Sequence, residues 1–237
     1  MNKVKLHTLW LLGMLFLMTA CGDDDDYYYP SVKLEFVTVK AGADGLIQSL
    51  LPDKGELLTV AKDRTGSTIS PNSARRVISN YEVNPEDATA VIYSLQSVVT
   101  PEPKEADDPA FEGGLKYDPV DVTSIWLGRD YLNMILNVKI NINSGKQHVF
   151  GMIEESVEAE GDETVVTLSL FHDANGDEEN YNRRAYISVP LTKYVDEENP
   201  HQTIRIKFKY HTTDKSGVVV ESSKYCDPGF EYVPGVN

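Results

Sequence analysis

Cysteine is scarce in this sequence of 237 residues, which contains only Cys21 and Cys226. We expect Cys21 to carry lipid, for reasons given below, so no intramolecular disulfide can form and stability must come from packed apolar cores. Cys226 lies in the turn-rich stretch 225–229. The sequence favours a buried or partly buried, inert thiol there, with a reactive thiol or an intermolecular bridge as the alternative.

Recognisable catalytic and metal-binding motifs are also missing. No two histidines have His-x-x-x-His spacing, and no Gly-x-Ser-x-Gly stretch offers a nucleophile. Paired carboxylates such as Glu154–Glu155 fall at predicted strand ends or loops, where a solvated charge is the default. A triad assembled from residues far apart in sequence stays open. We therefore expect no enzymatic activity, no cofactor and no metal. The histidines after residue 20 are His148, His172, His201 and His211.

Positive charge is in deficit, since 22 lysines and arginines face 37 aspartates and glutamates, for a formal charge of −15. Loss of Lys3 and Lys5 with the N-terminal segment makes this charge −17. A chain this acidic repels phosphate backbones and anionic lipid headgroups. We expect no nucleic-acid partner, and membrane attachment through lipid alone.

The N-terminal apolar run is too short for a transmembrane helix. Lys3 and Lys5 precede an apolar segment at residues 6–18. A spanning helix needs about 20 predominantly apolar residues, whereas a secretory signal core needs about 7 to 15. Residues 1–20 are therefore predicted to be a signal peptide that is removed.

The residues at the end of this segment indicate lipidation. Two small residues, Thr19 and Ala20, directly precede Cys21. This arrangement resembles the lipobox of bacterial lipoproteins, although Met18 stands three positions before the cysteine, where leucine is usual. The resemblance implies acyl chains on the sulfur and the freed amine of Cys21. Each buried methylene contributes about 0.8 kcal/mol, so several chains give stable attachment. The alternative is an ordinary secretory signal with an incidental cysteine.

Residues 21–30 are predicted to be an acidic tether. The four aspartates at positions 23–26 repel one another and cannot be buried unpaired, so they stay extended and solvated. A plain linker is one interpretation. The run also resembles the surface-export signal of Bacteroidota lipoproteins, which implies an outer-membrane protein facing the outside of the cell.

The following region, residues 31–100, is predicted to be a small OB-like barrel. Val32, Leu34 and Phe36 alternate with polar residues, the period of a half-buried strand. Five short strands in this length fit a closed or nearly closed barrel, which has no exposed sheet edge. Residues 101–120 are rich in proline, glycine and acid and are predicted to be a linker. The predicted strands are 32–36, 46–51, 56–60, 75–83 and 89–99.

The second half alternates more strongly and is predicted to be an antiparallel β-sandwich at residues 121–226, followed by a C-terminal tail at 227–237. Trp126 lies in an apolar strand and is expected in the core. No stretch has helical periodicity, so the whole chain is expected to be all-β. Seven strands are predicted, at 121–128, 131–143, 146–154, 164–172, 181–190, 203–210 and 218–224.

One acidic motif could bind calcium. Asp173, Asn175 and Asp177 have the spacing of the first three ligands of a calcium loop. Glu178 then occupies the position that needs glycine, and Arg184 the position that needs a bidentate glutamate. Asn175–Gly176 is also a strong hairpin-turn signal. The hairpin is favoured, and calcium, with Glu179 as an extra ligand, is the alternative.

These features together resemble the NigD-like proteins of Bacteroidota. The resemblance rests on the lipobox, the acidic tether, the small barrel and two stretches, 125–132 (IWLGRDYL) and 171–177 (FHDANGD). It implies an N-terminal OB-type domain, a C-terminal β-sandwich and a role in bacteriocin immunity. None of these motifs is a catalytic signature.

The leading hypothesis is a non-catalytic surface lipoprotein that binds an unknown protein, peptide or glycan, with a protective role against a bacteriocin. A glycan- or nutrient-handling accessory lipoprotein is the alternative, and it requires exposed aromatic platforms. A hydrolase is the third class, and it requires a cleft with converging polar groups.

Overall fold

Alternating apolar and polar residues form first a barrel and then a sandwich. The computed structural model describes residues 31–161, 163–177 and 181–235. The predicted signal peptide, the acidic tether with Cys21, and Glu178 and Glu179 lie outside them. From Val32 onward the chain forms one unit.

The N-terminal region is a closed five-stranded barrel, as predicted. Its strand order is β1-β2-β3-β5-β4, with β4 pairing back onto β1. All pairs are antiparallel except β3 with β5. Inward side chains such as Val37, Leu50 and Ile92 are fully buried in the barrel core. The strands are β1 (Val32–Ala41), β2 (Ile47–Pro52), β3 (Leu58–Asp63), β4 (Ala74–Asn84) and β5 (Thr89–Ser97).

The C-terminal region is a sandwich of a five-stranded and a three-stranded sheet, which confirms the predicted fold class. The larger sheet has the order β13-β12-β10-β9-β6, and the smaller one β11-β8-β7. The strands are β6 (Pro103–Glu105), β7 (Asp121–Gly128), β8 (Tyr131–Ile140), β9 (Val149–Glu160), β10 (Glu163–Asp173), β11 (Tyr181–Pro190), β12 (Ile204–Thr213) and β13 (Val219–Tyr232).

The sandwich core follows the predicted alternation. On β8, Leu132, Met134 and Leu136 have no exposed surface, and they face Phe208 of β12, which is equally buried. Burying one such side chain contributes about 1.5–3 kcal/mol. Because β7 and β8 are covered on this side, their other side is the one available to the barrel.

Pairing within the larger sheet is mixed and not purely antiparallel. β10 is parallel to β12, and β6 is parallel to β9. The chain leaves β10, crosses to the other sheet as β11 and returns as β12 in its original direction. A local alternation pattern predicts strands but not this crossover.

The predicted linker at residues 101–120 is shorter than expected, because parts of it belong to the sandwich. Residues 103–105 form β6, and a 3₁₀ turn at Pro109–Phe111 packs Phe111 against Phe171, with ring centroids 5.0 Å apart. Val120 is 3% exposed. Proline and glycine mark turns in this stretch, while its few apolar residues anchor it.

The predicted tail also differs, since β13 continues to Tyr232. Tyr232 is 3% exposed, and its hydroxyl donates to Asp130 Oδ1 over 2.9 Å. The register with β12 is irregular beside Pro228 and Gly229. An edge strand accepts these residues at a bulge, so they do not end it.

The described part of the chain contains no helix with the length and apolarity of a membrane span.

Candidate functional site

A cleft lies between the barrel and the smaller sheet of the sandwich, with a volume of about 380 Å³. We call it the interdomain cleft. Its barrel wall comes from β1, β4 and β5, and its sandwich wall comes from the outward side chains of β7, β8 and β11. Its principal lining residues are Leu34, Phe36, Ile78, Trp126, Ile135 and Tyr186.

Aromatic rings form the inner part of this cleft. The Phe36 ring meets Trp126 edge-on at 5.3 Å and Tyr186 at 6.2 Å. Trp126 was expected in the sandwich core, and that prediction is wrong: its side chain is half-buried in the cleft wall. On β7 it pairs with Asn133, on the side opposite to Ile125, which packs into the core. The alternation thus places Trp126 on the face that the barrel covers.

A buried polar cluster closes one end of the cleft. Arg76 of the barrel is 4% exposed, and its guanidinium pairs with Asp53 of the barrel's β2–β3 loop. Arg76 also donates to Ser188 Oγ over 3.0 Å and to Asn133 Oδ1 over 3.2 Å, both on the sandwich. Asn133 Nδ2 donates to Asp53 Oδ2 over 2.8 Å. The Arg76 guanidinium lies 4.4 Å from the Tyr131 ring centroid. This cluster holds the two domains together.

The turn between β7 and β8 docks onto the barrel beside this cluster. Arg129 Nε donates to the Pro52 carbonyl over 3.2 Å, and its terminal nitrogen donates to the Gly55 carbonyl over 2.8 Å. Gly128 leaves the space into which Asp53 and Asn133 reach: a Cβ there would lie 2.1 Å from Asp53 Oδ2 and 2.5 Å from Asn133 Nδ2. Only glycine fits at this position without displacing the cluster.

We expect Gly128→Ala to lower the free energy of unfolding by about 1–3 kcal/mol, the usual cost of overpacking a tight site. Chemical denaturation measures this loss. Gly113→Ala is the matched control, since no atom lies within 4 Å of a Cβ built at Gly113. Equal stability of the two variants would contradict the tight contact.

A second cavity, of about 580 Å³, lies at the open end of the sandwich beside β11. Gln96, Arg184 and Tyr186 line both cavities, so the second one continues from the interdomain cleft. We call the two together the trough. The second cavity also includes His148, Phe150 and Asp177 in its wall.

Two histidines meet at this wall, which the sequence did not predict. His148 Nδ1 and His172 Nε2 are 2.9 Å apart, and His148 Nε2 lies 3.4 Å from Asp177 Oδ2. His172 Nδ1 lies 2.9 Å from the Asp118 carbonyl oxygen, to which it donates because a carbonyl only accepts. His172 is 2% exposed, and its ring stacks on Phe150 at 4.7 Å.

The Asp118 carbonyl can only accept, and this fixes the donor and acceptor roles along the series of hydrogen bonds from His172 to Asp177. His172 Nε2 accepts from His148 Nδ1, and His148 Nε2 faces Asp177 Oδ2. Asp177 also accepts the backbone N–H of Asn141 over 2.9 Å. The chain ties the β8–β9 loop to the β10–β11 turn. This series of hydrogen bonds contains no nucleophile, so its role is more typical of a structural contact between loops than of a catalytic triad.

Stability is expected to fall in mild acid because of His172. Burial lowers the pKa of His172 below its ordinary value, and the neighbouring His148 acts in the same direction. In the unfolded chain His172 takes up a proton as pH falls through about 6.5, while in the folded state it does not. The free energy of unfolding therefore falls by up to about 1.4 kcal/mol per pH unit. Between about pH 7.5 and 5.5 the parent chain should lose about 1 kcal/mol more than His172→Gln. Denaturant titration at both pH values measures this difference, and equal losses would contradict it.

The Asp173–Asp177 stretch forms the predicted tight turn but not a hairpin. Asn175 and Gly176 have φ of 53° and 62°, the pair of left-handed residues that the turn signal implies. The flanking strands β10 and β11 lie in different sheets and do not pair, so the hairpin prediction is wrong. The turn signal specifies backbone angles and not the partner strand.

The three candidate calcium ligands already have hydrogen-bond partners in or beside this turn. Asp173 Oδ1 accepts the Asn175 N–H over 2.7 Å, the Asn175 amide donates to the Gln147 carbonyl over 2.5 Å, and Asp177 faces His148. Within residues 31–161, 163–177 and 181–235, no group of three or more His, Cys, Asp or Glu side chains is arranged to hold a metal ion. The geometry therefore favours the turn.

Of the two cysteines, Cys21 lies outside the described residues and its lipidation stays a prediction. Cys226 is half-buried within β13, with its sulfur 3.6 Å from the Phe208 carbonyl oxygen. Burial raises the pKa of its thiol, which disfavours the reactive thiolate.

Comparison with known proteins identifies both regions. Residues 36–98 match the NigD-like N-terminal OB domain, and residues 103–221 match the NigD-like C-terminal beta sandwich domain. Comparison with curated proteins gave no match.

Solved structures give the same result. The chain is similar to a NigD-like immunity protein from Bacteroides caccae, with 70% identity and a TM-score of 0.78, over 88% of this chain and 100% of that one. A protein from Parabacteroides distasonis has 17% identity and a TM-score of 0.65, over 86% of this chain and 95% of its own. One of unknown function from Bacteroides vulgatus has 17% identity and a TM-score of 0.61, over 87% of this chain and 96% of its own. The last two support the fold alone. The matches to both domains, covering more than half of the sequence, show that the chain belongs to the NigD-like family.

Proposed function

We propose that this protein is an outer-membrane lipoprotein, held by lipid on Cys21 and facing outward, that binds a protein toxin and so protects the cell from a bacteriocin. It acts by binding and not by catalysis. The observation that carries the proposal is the relative from Bacteroides caccae, described as a NigD-like immunity protein, which is 70% identical over its whole length.

The interdomain cleft supports a binding role. Binding sites occur preferentially between domains and are mostly apolar, with a few polar groups. Trp126 and Tyr186, which pack against the buried ring of Phe36, supply the kind of aromatic surface that dominates binding energy at interfaces. Leu34, which is 66% exposed at the cleft, extends this surface outward.

Anchoring is supported by the sequence. The small residues before Cys21 fit lipoprotein processing, and the four aspartates at 23–26 fit a solvated tether that holds the domains away from the membrane. Attachment through acyl chains agrees with the formal charge of −15, which opposes docking on anionic headgroups.

A nucleic-acid partner is disfavoured despite the OB-type barrel. OB folds that bind oligonucleotides use the face of strands 2 and 3, and stack bases on aromatic side chains. Neither β2, with sequence IQSLLP, nor β3, with sequence LTVAKD, contains an aromatic residue. Function is therefore not inherited from the fold.

Protection from killing tests the proposal. A sensitive strain that expresses the chain is exposed to the bacteriocin encoded beside it, and survival is compared with that of the same strain carrying an empty vector. The proposal predicts higher survival with the chain. Equal survival would reject the immunity role.

A second candidate, a glycan-handling accessory protein, is favoured by one observation. Trp126 and Tyr186 line an open cleft and are not in the core, so they could stack against a sugar ring. A glycan array decides between the two: specific binding that is lost in Trp126→Ala would favour the glycan role. An array without binding would remove it.

A further inference from the structure

The two halves of the trough differ in chemistry. The interdomain cleft has the aromatic wall of Phe36, Trp126 and Tyr186, whereas the second cavity is lined by cationic Lys146, Arg183 and Arg184. Tyr186 and Arg184 belong to both halves and lie two residues apart on β11. A bound partner therefore meets an apolar surface and then a positive one.

The carboxylates of the trough are already engaged. Glu35 Oε2 accepts the Tyr81 hydroxyl over 2.7 Å. Asp53 accepts from Arg76 and Asn133, as described above. Asp177 accepts the Asn141 N–H and faces His148. These three acids have donors within the protein and leave little capacity to bind a cationic ligand.

Within the part of the chain that the structure describes, the cations of the trough have few partners. Lys146 donates to the Gly176 carbonyl. Lys54, Arg183 and Arg184 make no ion pair or hydrogen bond with any residue that the structure describes. This is notable in a chain with 37 acidic and 22 basic side chains, where Arg205 and Lys209 each pair with a glutamate. Among the described residues of the trough, the charged side chains without a charged partner are thus positive, although the protein as a whole is strongly negative.

The spacing on β11 suggests how a partner would lie. Residues i and i+2 of a strand point to the same side and are about 6.6 Å apart, at roughly 3.3 Å per residue. Val99 already pairs with the backbone edge of β11, since its N–H donates to the Tyr186 carbonyl over 2.9 Å. A peptide therefore meets the side chains of β11, and an extended peptide has the same repeat. An apolar side chain next to Tyr186 therefore places a side chain two residues away next to Arg184.

We infer that the trough binds an extended segment of a partner protein in which an apolar residue and a carboxylate residue are separated by one position. The apolar side chain enters the interdomain cleft, and the carboxylate pairs with Arg184, while Arg183 at the neighbouring position of β11 adds positive charge nearby. Arginine suits this role because its planar guanidinium binds a carboxylate through two parallel hydrogen bonds. This inference rests on the proposed toxin-binding function and names the chemistry of the bound segment.

Fluorescence of Trp126 reports on this site directly. The full chain with Trp10→Phe, in detergent, keeps Trp126 as its one tryptophan. The probes are the peptide acetyl-Ala-Phe-Ala-Glu-Ala-amide and its matched version with Gln in place of Glu, titrated to millimolar concentration. The Glu peptide is expected to shift Trp126 emission saturably, with at least tenfold higher affinity than the Gln peptide. Equal affinities, or no change with either peptide, would overturn the inference.

Charge variants locate the carboxylate. Arg183→Gln with Arg184→Gln is expected to abolish the preference for the Glu peptide. Lys62→Gln with Lys215→Gln removes the same charge from exposed positions outside the trough and should retain the preference. Loss of the preference in both double variants would indicate general electrostatics and overturn the inference. A saturable response to oligothymidylate that depends on the two arginines would also overturn it, in favour of nucleic acid.

The same variants separate this inference from the function on which it rests. If the Arg183→Gln/Arg184→Gln chain protects cells as well as the parent chain, the inference fails and the immunity role stands. If the parent chain binds the Glu peptide selectively but gives no protection, the immunity role fails and the site stands.

Discussion

Replacing Arg76 by alanine is expected to lower the free energy of unfolding by about 3–5 kcal/mol, because it leaves the largely buried Asp53 without its cation. Arg76 has 2% of its side chain exposed and Asp53 has 14%. The change also removes the hydrogen bonds that Arg76 donates to Asn133 and Ser188, and these bonds join the barrel to the sandwich. Chemical denaturation measures the loss, and separate unfolding transitions for the two domains would show directly that the cluster couples them.

Arg75→Ala is the matched control for this variant. Arg75 is the neighbouring residue on β4 and is exposed, so its loss should change stability by no more than about 0.5 kcal/mol. Asp53→Ala combined with Arg76→Ala should cost less than the sum of the two single changes, since neither charge is then left alone. Additive costs, or a loss for Arg76→Ala as small as that for Arg75→Ala, would contradict the coupling.

Replacing Cys21 by serine is expected to move nearly all of the protein from the detergent phase to the aqueous phase in a phase-separation assay. Serine cannot take the diacylglycerol thioether. Under the proposed lipidation, several acyl chains at about 0.8 kcal/mol per buried methylene would provide the membrane affinity of this acidic chain. The formal charge of −15 provides no alternative attraction to anionic lipid.

Cys226→Ser controls for the loss of a thiol. The Cys226 sulfur is half-buried against the Phe208 carbonyl, far along the chain from the predicted lipidation site. The Cys226→Ser protein should therefore divide between the two phases as the parent chain does. A Cys21→Ser chain that still enters the detergent phase would contradict lipid anchoring at Cys21.

Periodicity predicted the strands well because it reflects burial directly. On β8, the alternating apolar residues from Leu132 to Val138 are buried in the sandwich core, and β7 and β11 have the predicted bounds. Closure of the barrel followed from strand number and the cost of open edges. These features depend on local sequence.

The candidate site could not be predicted in this way, because it depends on contacts between distant segments. Asn133 alternates with apolar residues that face the sandwich core, yet it is itself fully buried under the barrel by Arg76. Trp126 lies on the same side for the same reason. No local pattern states which face of a sheet another domain will cover.

The histidine pair shows a similar limit. His172 pairs with Phe150 across β9 and β10, which brings it to His148 two residues earlier. The strand that became β9 was predicted at 146–154 but extends over Val149–Glu160. The correct register of β9 against β10 would have predicted that the two histidines are neighbours. The predicted bounds of β9 gave a different register, so this contact was not predicted.

Survival of a bacteriocin-sensitive strain that carries Leu34→Asp tests the central claim most directly, namely that protection depends on a partner bound in the interdomain cleft. Leu34 is 66% exposed, so a carboxylate there should be tolerated by the fold while it repels an acidic, apolar segment. Val219→Asp, at a position 47% exposed on β13 and outside the cleft, is the control. The account predicts that Leu34→Asp loses protection and Val219→Asp keeps it, at equal surface levels of both proteins. Full protection by Leu34→Asp would contradict it.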